Sequence, residues 1–502
     1  MVGLITGGRG LALVTAAILS CLLLFSAVAG AAKKQSAAGK RPAISTKPTL
    51  SPSFAWKKRD YTIRCKNRAV RAEVTVPVGW RAAIKGLKNK TTSSSRRAAT
   101  GATRTISGRV RMTGGSGFHF TFRKKGRRNA RKYHVRCLPG DFPPYRFVRS
   151  RPGGPRLMFV QMQNHYAAIF DRHGVPVWWY RATGFADNAQ LLADGTVAWV
   201  PVDEISYQQG DYEIRRLNGR HVRSVRAAGG LTTDIHELLL LGNGNYMVGA
   251  FLDSAGKDTT PFGGPADTTV RGAQVQELRP DGSLVWHWNS DDHIDLTETG
   301  RWWRHALQSS RPWDAAHWNS VERNGDSLLM SFRHLDAVYK IDRGSGEIVW
   351  KLGGTGTDRS LEVLGDPLGS YPFGGQHDAR WQPDGSVSIF DNGSELGRGP
   401  RVVRYVVDEQ RGTAKLVESV TDPKVPASIC CGSARRLNSG GWLVGWGGNN
   451  ERGIIGFYDS KGRPVSRLWT AGGFSYRAYP MTGEFPSRNR LIRAMDAIRQ
   501  RG

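Results

Sequence analysis

"HDARWQPDGSVSIFD", residues 377–391, reads as a strand, a tight turn at "PDG" and a second strand. Four other stretches share its pattern: "DNAQLLADGTVAWV" (187–200), "HELLLLGNGNYMVG" (236–249), "HWNSVERNGDSLLMSF" (317–332) and "SARRLNSGGWLVGW" (433–446). Each has an apolar residue four before a turn glycine and an apolar strand after it. The glycines are Gly195, Gly244, Gly325, Gly385 and Gly441, spaced 49, 81, 60 and 56 residues apart. Between them lie hairpins of a second kind, "VQELRPDGSLVWHW", "YKIDRGSGEIVWKLGG" and "IGFYDSKGRPVSRLW", preceded by "AAIFDRHGVPVWWY". A repeat therefore supplies about four strands, the unit of a propeller blade, and counting the hairpin at 166–180 gives about six blades. The 61 Gly, 16 Trp and 14 Tyr of the 502 residues agree with an all-β chain rich in tight turns.

The repeat also puts its histidines in register. Eight residues before each turn glycine stand Asp187, His236, His317, His377 and Ser433, so three of five positions are histidine in a chain with 12. In a propeller the innermost strand of each blade lines a central channel, where equivalent positions of successive blades meet. Antiparallel pairing returns the next strand to the same rim, at Arg333 after the second histidine and at Asn392 after the third. Histidines that merely cap strand starts explain one such residue well, but not three with an arginine. Strand alternation points Asp378 away from His377.

Charge divides the chain. Residues 1–156 hold 34 Lys and Arg against Asp60, Glu73 and Asp141, whereas the remainder holds 38 against 39 acids, so the net +30 belongs to the N-terminal part. Residues 1–32 read as an export signal, with Arg9 before "LALVTAAILSCLLLFSAVAGAA" and small-residue cleavage sites; the run is also long enough for an uncleaved membrane anchor. The bulk of the protein is expected outside the cytoplasm, exported or held by that anchor. Residues 33–55 are Pro/Ser/Lys-rich and read as a disordered basic linker. Residues 56–155 read as a small basic β-sandwich, 157–485 as the propeller, and 486–502 as a basic tail. The basic domain suits an anionic cell-envelope surface, export makes nucleic acid the least suitable partner, and a merely solvated basic face is the plain alternative. Cys65 and Cys137 bracket one segment and make a natural bridge. The adjacent Cys430 and Cys431 suggest a vicinal disulfide or two buried thiols. No C-x-x-C pair points to structural zinc.

In sequence, "DIHELLLLGNGNYMV", "DAAHWNSVERNGDSLLMSFRHLDAVYKID", "GGQHDARWQPDGSVSIFDNG" and "RVVRYVVDE" together resemble the bacterial arylsulfate sulfotransferase family over residues 157–480. The resemblance implies an exported enzyme that uses no phosphonucleotide donor (PAPS-independent), with a six-bladed propeller after an N-terminal β-sandwich. By motif, His377 corresponds to the family's nucleophile, which becomes transiently sulfurylated; His236 and His317 correspond to its other channel histidines and Arg333 to its active-site arginine. The implied reaction moves a sulfuryl group from a phenolic sulfate ester to a phenol in ping-pong fashion, with no cofactor or metal. A neutral imidazole is a competent nucleophile near pH 7. Arg333 with the donor groups of His236 and His317 suits the charge that develops on sulfuryl oxygens and phenoxide, and a histidine suits proton transfer to and from the phenols. Asn392, Trp318, Tyr371 and Phe373 are expected to bind substrate, the aromatic ones by stacking on the aryl ring. Expected partners are the aryl sulfate donor, the phenol acceptor and, as a homodimer, a second copy of the chain. Competing readings are a quinoprotein-like propeller oxidoreductase, suggested by "IDRGSGEIVWKLGG", a three-histidine metal site, and a propeller that binds ligands without catalysis. An arginine at the rim favours an oxyanion over a cation.

Overall fold

A computed structural model describes residues 41–66, 69–86, 88–94, 103–162, 165–202, 210–309, 312–448, 452–481 and 486–501. The expected export segment with Cys21 and the linker up to residue 40 lie outside the described residues. Among the described residues no helix is long and apolar enough to cross a membrane. The chain is all-β as expected, built from many sheets with a few short helices.

Two four-stranded sheets form the N-terminal unit. Period-2 alternation along Ala69–Pro77 sends Val70, Ala72, Val74 and Val76 inward, where they share one core with Phe118, Phe120, Phe122 and Tyr133 of the second sheet. The Cys65–Cys137 disulfide is present. Two boundaries differ from expectation, and the tail has regular structure. Within the expected linker, Ala43–Lys47 is an edge strand paired with Ala69–Pro77, because Ile44 and Thr46 alternate inward although the surrounding composition is that of a linker. Tyr145–Arg149, expected in the N-terminal domain, pairs with Pro464–Ala471 of the last downstream sheet. The basic tail is a helix, Arg488–Arg501, whose Leu491, Ala494 and Met495, spaced for one helix face, pack into the core around Trp179.

Downstream, the described residues form six sheets of four or five strands, predominantly antiparallel. One edge strand of each is Ala478–Met481, Phe185–Leu191, Thr233–Leu240, Trp318–Asn324, His377–Trp381 or Ser433–Arg436. Successive edge strands lie against one another, and Ala478–Met481 lies against both Ser433–Arg436 and Phe185–Leu191, so the six edges close on themselves. The same strand pairs with Leu157–Met162, tying the two ends of the region together. Large aromatic residues fill the space between sheets: Trp318, Phe332 and Tyr339 share a cluster with Met247 and Val275 of the preceding sheet. A large aromatic side chain removes 150–250 Å² from water, roughly 4–6 kcal/mol at about 25 cal/mol per Å² before entropy is subtracted.

Four of these edge strands break register, between Asp187 and Gln190, Asp234 and Leu238, Trp318 and Ser320, and His377 and Arg380. A bulge re-aims the side chains at its residues. Non-glycine residues take positive φ at or beside three of them: Asn188 (42°), His317 (48°) and Asp378 (59°). The histidine register of the sequence thus falls on bulged positions.

Candidate active site

His377 opens its edge strand and is buried. Its Nδ1 lies 2.9 Å from Gly375 O and 2.9 Å from Asn392 Oδ1. Both partners are acceptors, since Asn392 turns its Nδ2 to Ser428 Oγ at 2.8 Å and Cys431 O at 2.9 Å. Nδ1 therefore carries the proton and Nε2 the lone pair. The backbone N–H of Cys431 donates to Nε2 at 3.1 Å. Burial first, then the charges of Arg333 and His236, push His377 well below the ordinary imidazole range, which keeps the ring neutral at pH 7.

The other two histidines are carboxylate dyads. His236 Nδ1 bonds Asp234 Oδ1, and His317 Nδ1 lies 2.5 Å from Asp314 Oδ2, with the two rings 5.2 Å apart between centroids. Each leaves Nε2 for chemistry. Their environments pull them apart. Burial alone would lower both, but the Asp234 carboxylate overrides it and raises His236. At His317 burial outweighs Asp314, helped by the charges of His236 and Arg333, and the imidazole is lowered. Two neighbouring groups separated in this way suit acid and base roles.

Arg333 follows the strand Ser327–Phe332. Its guanidinium lies 4.1 Å over the Trp302 ring, Nη1 donates to His334 Nε2 at 2.8 Å, and Nη2 donates to Ile429 O at 3.1 Å. His334 Nδ1 donates to Asp314 O at 2.6 Å, which leaves Nε2 as the acceptor Arg333 needs, and burial holds this histidine well below its ordinary range. Asp314, His317 and His334 have metal-ligating atoms within 4.8 Å of one another, yet Asp314 already occupies Nδ1 of both rings. Asp234, Asp314, Trp302 and His334 are not singled out by the sequence, and Cys431 is expected there only as half of a vicinal disulfide or as a buried thiol, not as a backbone partner of His377. "DIH" and "DAAH" did display an acid two or three residues before each histidine.

The structure brings His377, His236, His317 and Arg333 together but corrects the expected substrate contacts. Asn392 stands behind His377 and fixes its tautomer. Trp318 is buried against Gly249, where an added Cβ would meet its ring at 2.2 Å, so it is a core residue. Phe373 is likewise in the core with Leu352 and Tyr405. The Tyr371 hydroxyl bonds Asp336, which also takes Arg301 Nε at 2.7 Å, so this ring supports a loop. Cys430 and Cys431, expected as a vicinal disulfide or as two buried thiols, are unbridged with their sulfurs in contact. The Cys431 backbone is held, at φ 65°, by its bonds to His377 and Asn392.

Next to the site lies a buried ionic network. Arg380 bonds Glu237 and, at 2.8 Å, Asp378; Arg435 reaches Asp378 at 2.8 Å; Arg477 reaches Glu237 at 2.6 Å and His236 O at 2.6 Å. Asp378 also accepts the Ala434 N–H at 3.0 Å. The charges of Arg435 and Arg380 outweigh desolvation and lower its carboxyl to about 2. Asp378 therefore serves the network, which links the strands carrying His236 and His377.

The site thus gathers a buried neutral imidazole, two histidine–carboxylate dyads and an arginine on an all-β scaffold. The arylsulfotransferase (ASST) family profile matches residues 149–463, and the chain belongs to that family. It is thus an arylsulfotransferase-family protein, and both the family and the disulfide accord with export. No curated protein matches the chain. Among solved structures it is similar to a protein of unknown function from Bacteroides caccae (13% identity, 66% of this chain and 100% of that one, TM-score 0.41). It is also similar to hydrazine synthase of Kuenenia stuttgartiensis (11%, 66% and 90%, 0.33) and apo AztD of Citrobacter koseri (13%, 65% and 98%, 0.31).

Proposed function

We propose that the six sheets are blades of a propeller preceded by a β-sandwich, and that the protein transfers a sulfuryl group from a phenolic sulfate ester to a phenol through a sulfohistidine on His377. The observation that carries this reading is the pair of acceptors at His377 Nδ1, which leaves a neutral Nε2 lone pair among Arg333, His236 and His317. In the first half-reaction the Cys431 N–H gives up Nε2, the N–S bond forms and the S–O bond to the aryl group breaks. His236, kept protonated by Asp234, gives its proton to the departing phenoxide. Arg333 stabilises the charge spread over the sulfuryl oxygens. In the second half-reaction a neutral dyad imidazole takes the proton of the acceptor phenol, whose oxygen attacks sulfur while the N–S bond breaks. Donor and acceptor use the site in turn, the kinetic signature of a ping-pong enzyme.

Purified protein with p-nitrophenyl sulfate is expected to release nitrophenol in an acceptor-dependent manner. His377→Ala is expected to lose at least about 10³-fold in kcat with its fold intact. Equal turnover by that variant contradicts the nucleophile assignment.

We also propose that the N-terminal unit meets anionic envelope polymer through its outer face. There Lys47, Arg71 and Arg109, all exposed, stand in register on three adjacent strands. Like charges directly opposite one another are unfavourable without a counter-charge.

A further inference from the structure

Away from His236, His317 and His377, a cavity of about 240 Å³ opens where the N-terminal unit, the sheet containing Leu157–Met162 and the helix Arg488–Arg501 meet. Both ends of the described chain contribute to it. Leu157, Val175, Pro176 and Leu491, all buried, give it an apolar floor. Among the described residues its walls carry Lys57, Arg59, Arg136, Arg172 and Arg488 against two carboxyls, Asp60 and Asp171.

The ion pairs at the cavity leave a positive surplus. Arg488 Nε donates to Asp60 at 2.6 Å, and Arg136 Nη2 to Asp496 at 2.9 Å. Asp171 spends Oδ1 on the N–H groups of His173 and Val175, at 2.8 and 2.9 Å. Burial pushes its carboxyl up to about 7, so near neutral pH it supplies only part of a charge. Arg59 shows the imbalance most directly. Its Nη1 is buried without a hydrogen-bond partner, its guanidinium lies 5.5 Å over the Tyr133 ring, and burial, followed by the charge of Arg131, lowers its pKa while leaving it charged. A buried donor left unpaired is unfavourable, and an oxyanion is the partner a guanidinium takes most readily.

We propose that this cavity is a second ligand site, distinct from the histidine site, for a small amphiphilic anion. Its hydrocarbon body lies on Leu157, Val175 and Leu491, and its anionic head is held by Arg59 with Arg172 and Arg488. The apolar floor selects against a bare inorganic anion, and the cationic wall selects against a neutral hydrocarbon. The proposal does not depend on sulfuryl transfer, and its test reads binding rather than turnover.

The test is hydrogen exchange of the full chain with saturating 2-naphthalenesulfonate, whose C–S bond does not transfer. Slowed exchange is expected in Asp60–Ile63 and in Arg488–Arg501. The effect is expected to weaken at least tenfold in probe concentration in Arg59→Ala and in Arg172→Glu. Arg172 is exposed, so its variant keeps the test available if Arg59→Ala misfolds. Inorganic sulfate at the same concentration is expected to give much less protection. No protection of these segments, protection unchanged in both variants, or equal protection by sulfate overturns the proposal.

Discussion

Arginine is used in opposite ways in the two parts of the molecule. On the outer face of the N-terminal unit Arg71 and Arg109 stand exposed in a cross-strand row, and the Arg71–Glu73 contact at 3.9 Å is open to water. In the six-sheet region Arg380, Arg477 and Arg401 are buried and bonded to carboxylates. Exposed pairs contribute about 0–1 kcal/mol, whereas removing one partner of a buried pair costs about 3–5 kcal/mol because the other charge is stranded. Basic residues therefore mean different things in the two parts: a field directed outward in one, and internal ties between the strands that carry His236 and His377 in the other.

The largest effect on stability is expected where this contrast is sharpest. Arg477→Leu leaves Glu237 short of a partner and is expected to destabilise the protein by about 3–5 kcal/mol in urea unfolding. A loss below about 1 kcal/mol would mean that the network is not a structural tie. A smaller effect is expected at the dyads. His236 is raised, so it remains protonated above the ordinary imidazole range, and with it as the proposed general acid activity toward poor leaving groups falls as pH rises through its pKa. Asp234→Asn removes the carboxylate that raises His236. The alkaline limb measured with phenyl sulfate is therefore expected to move to lower pH, with little change for p-nitrophenyl sulfate. The smallest effect on stability is expected outside. Arg71→Ala with Arg109→Ala is expected to change stability by less than about 0.5 kcal/mol while reducing retention on an immobilised anionic polymer. Unchanged retention would reduce the row to a solvated surface.

The parts of this arrangement that depend on local sequence were readable from it. A turn glycine and a period-2 strand are local, so the interval of eight residues before Gly244, Gly325 and Gly385 marks His236, His317 and His377 in the sequence itself. The aromatic assignments failed for an equally local reason that the letters do not display. A bulge beside His317 reverses the alternation, and Trp318 faces the core. Composition hid the strand Ala43–Lys47, whose alternation spans only five residues. The ionic network is nonlocal, with Arg477 meeting Glu237 from 240 positions away, and no single stretch announces it. His334 sat in view beside Arg333, but its role follows from a tautomer fixed by Asp314 O.

The most direct measurement is chemical. Wild-type protein mixed with an aryl sulfate in the absence of acceptor, quenched under alkaline conditions and digested, is expected to carry one sulfuryl group on the peptide containing His377. That group should disappear when phenol is added before the quench. A sulfuryl group on another residue, or turnover with none on His377, would contradict transfer through this imidazole.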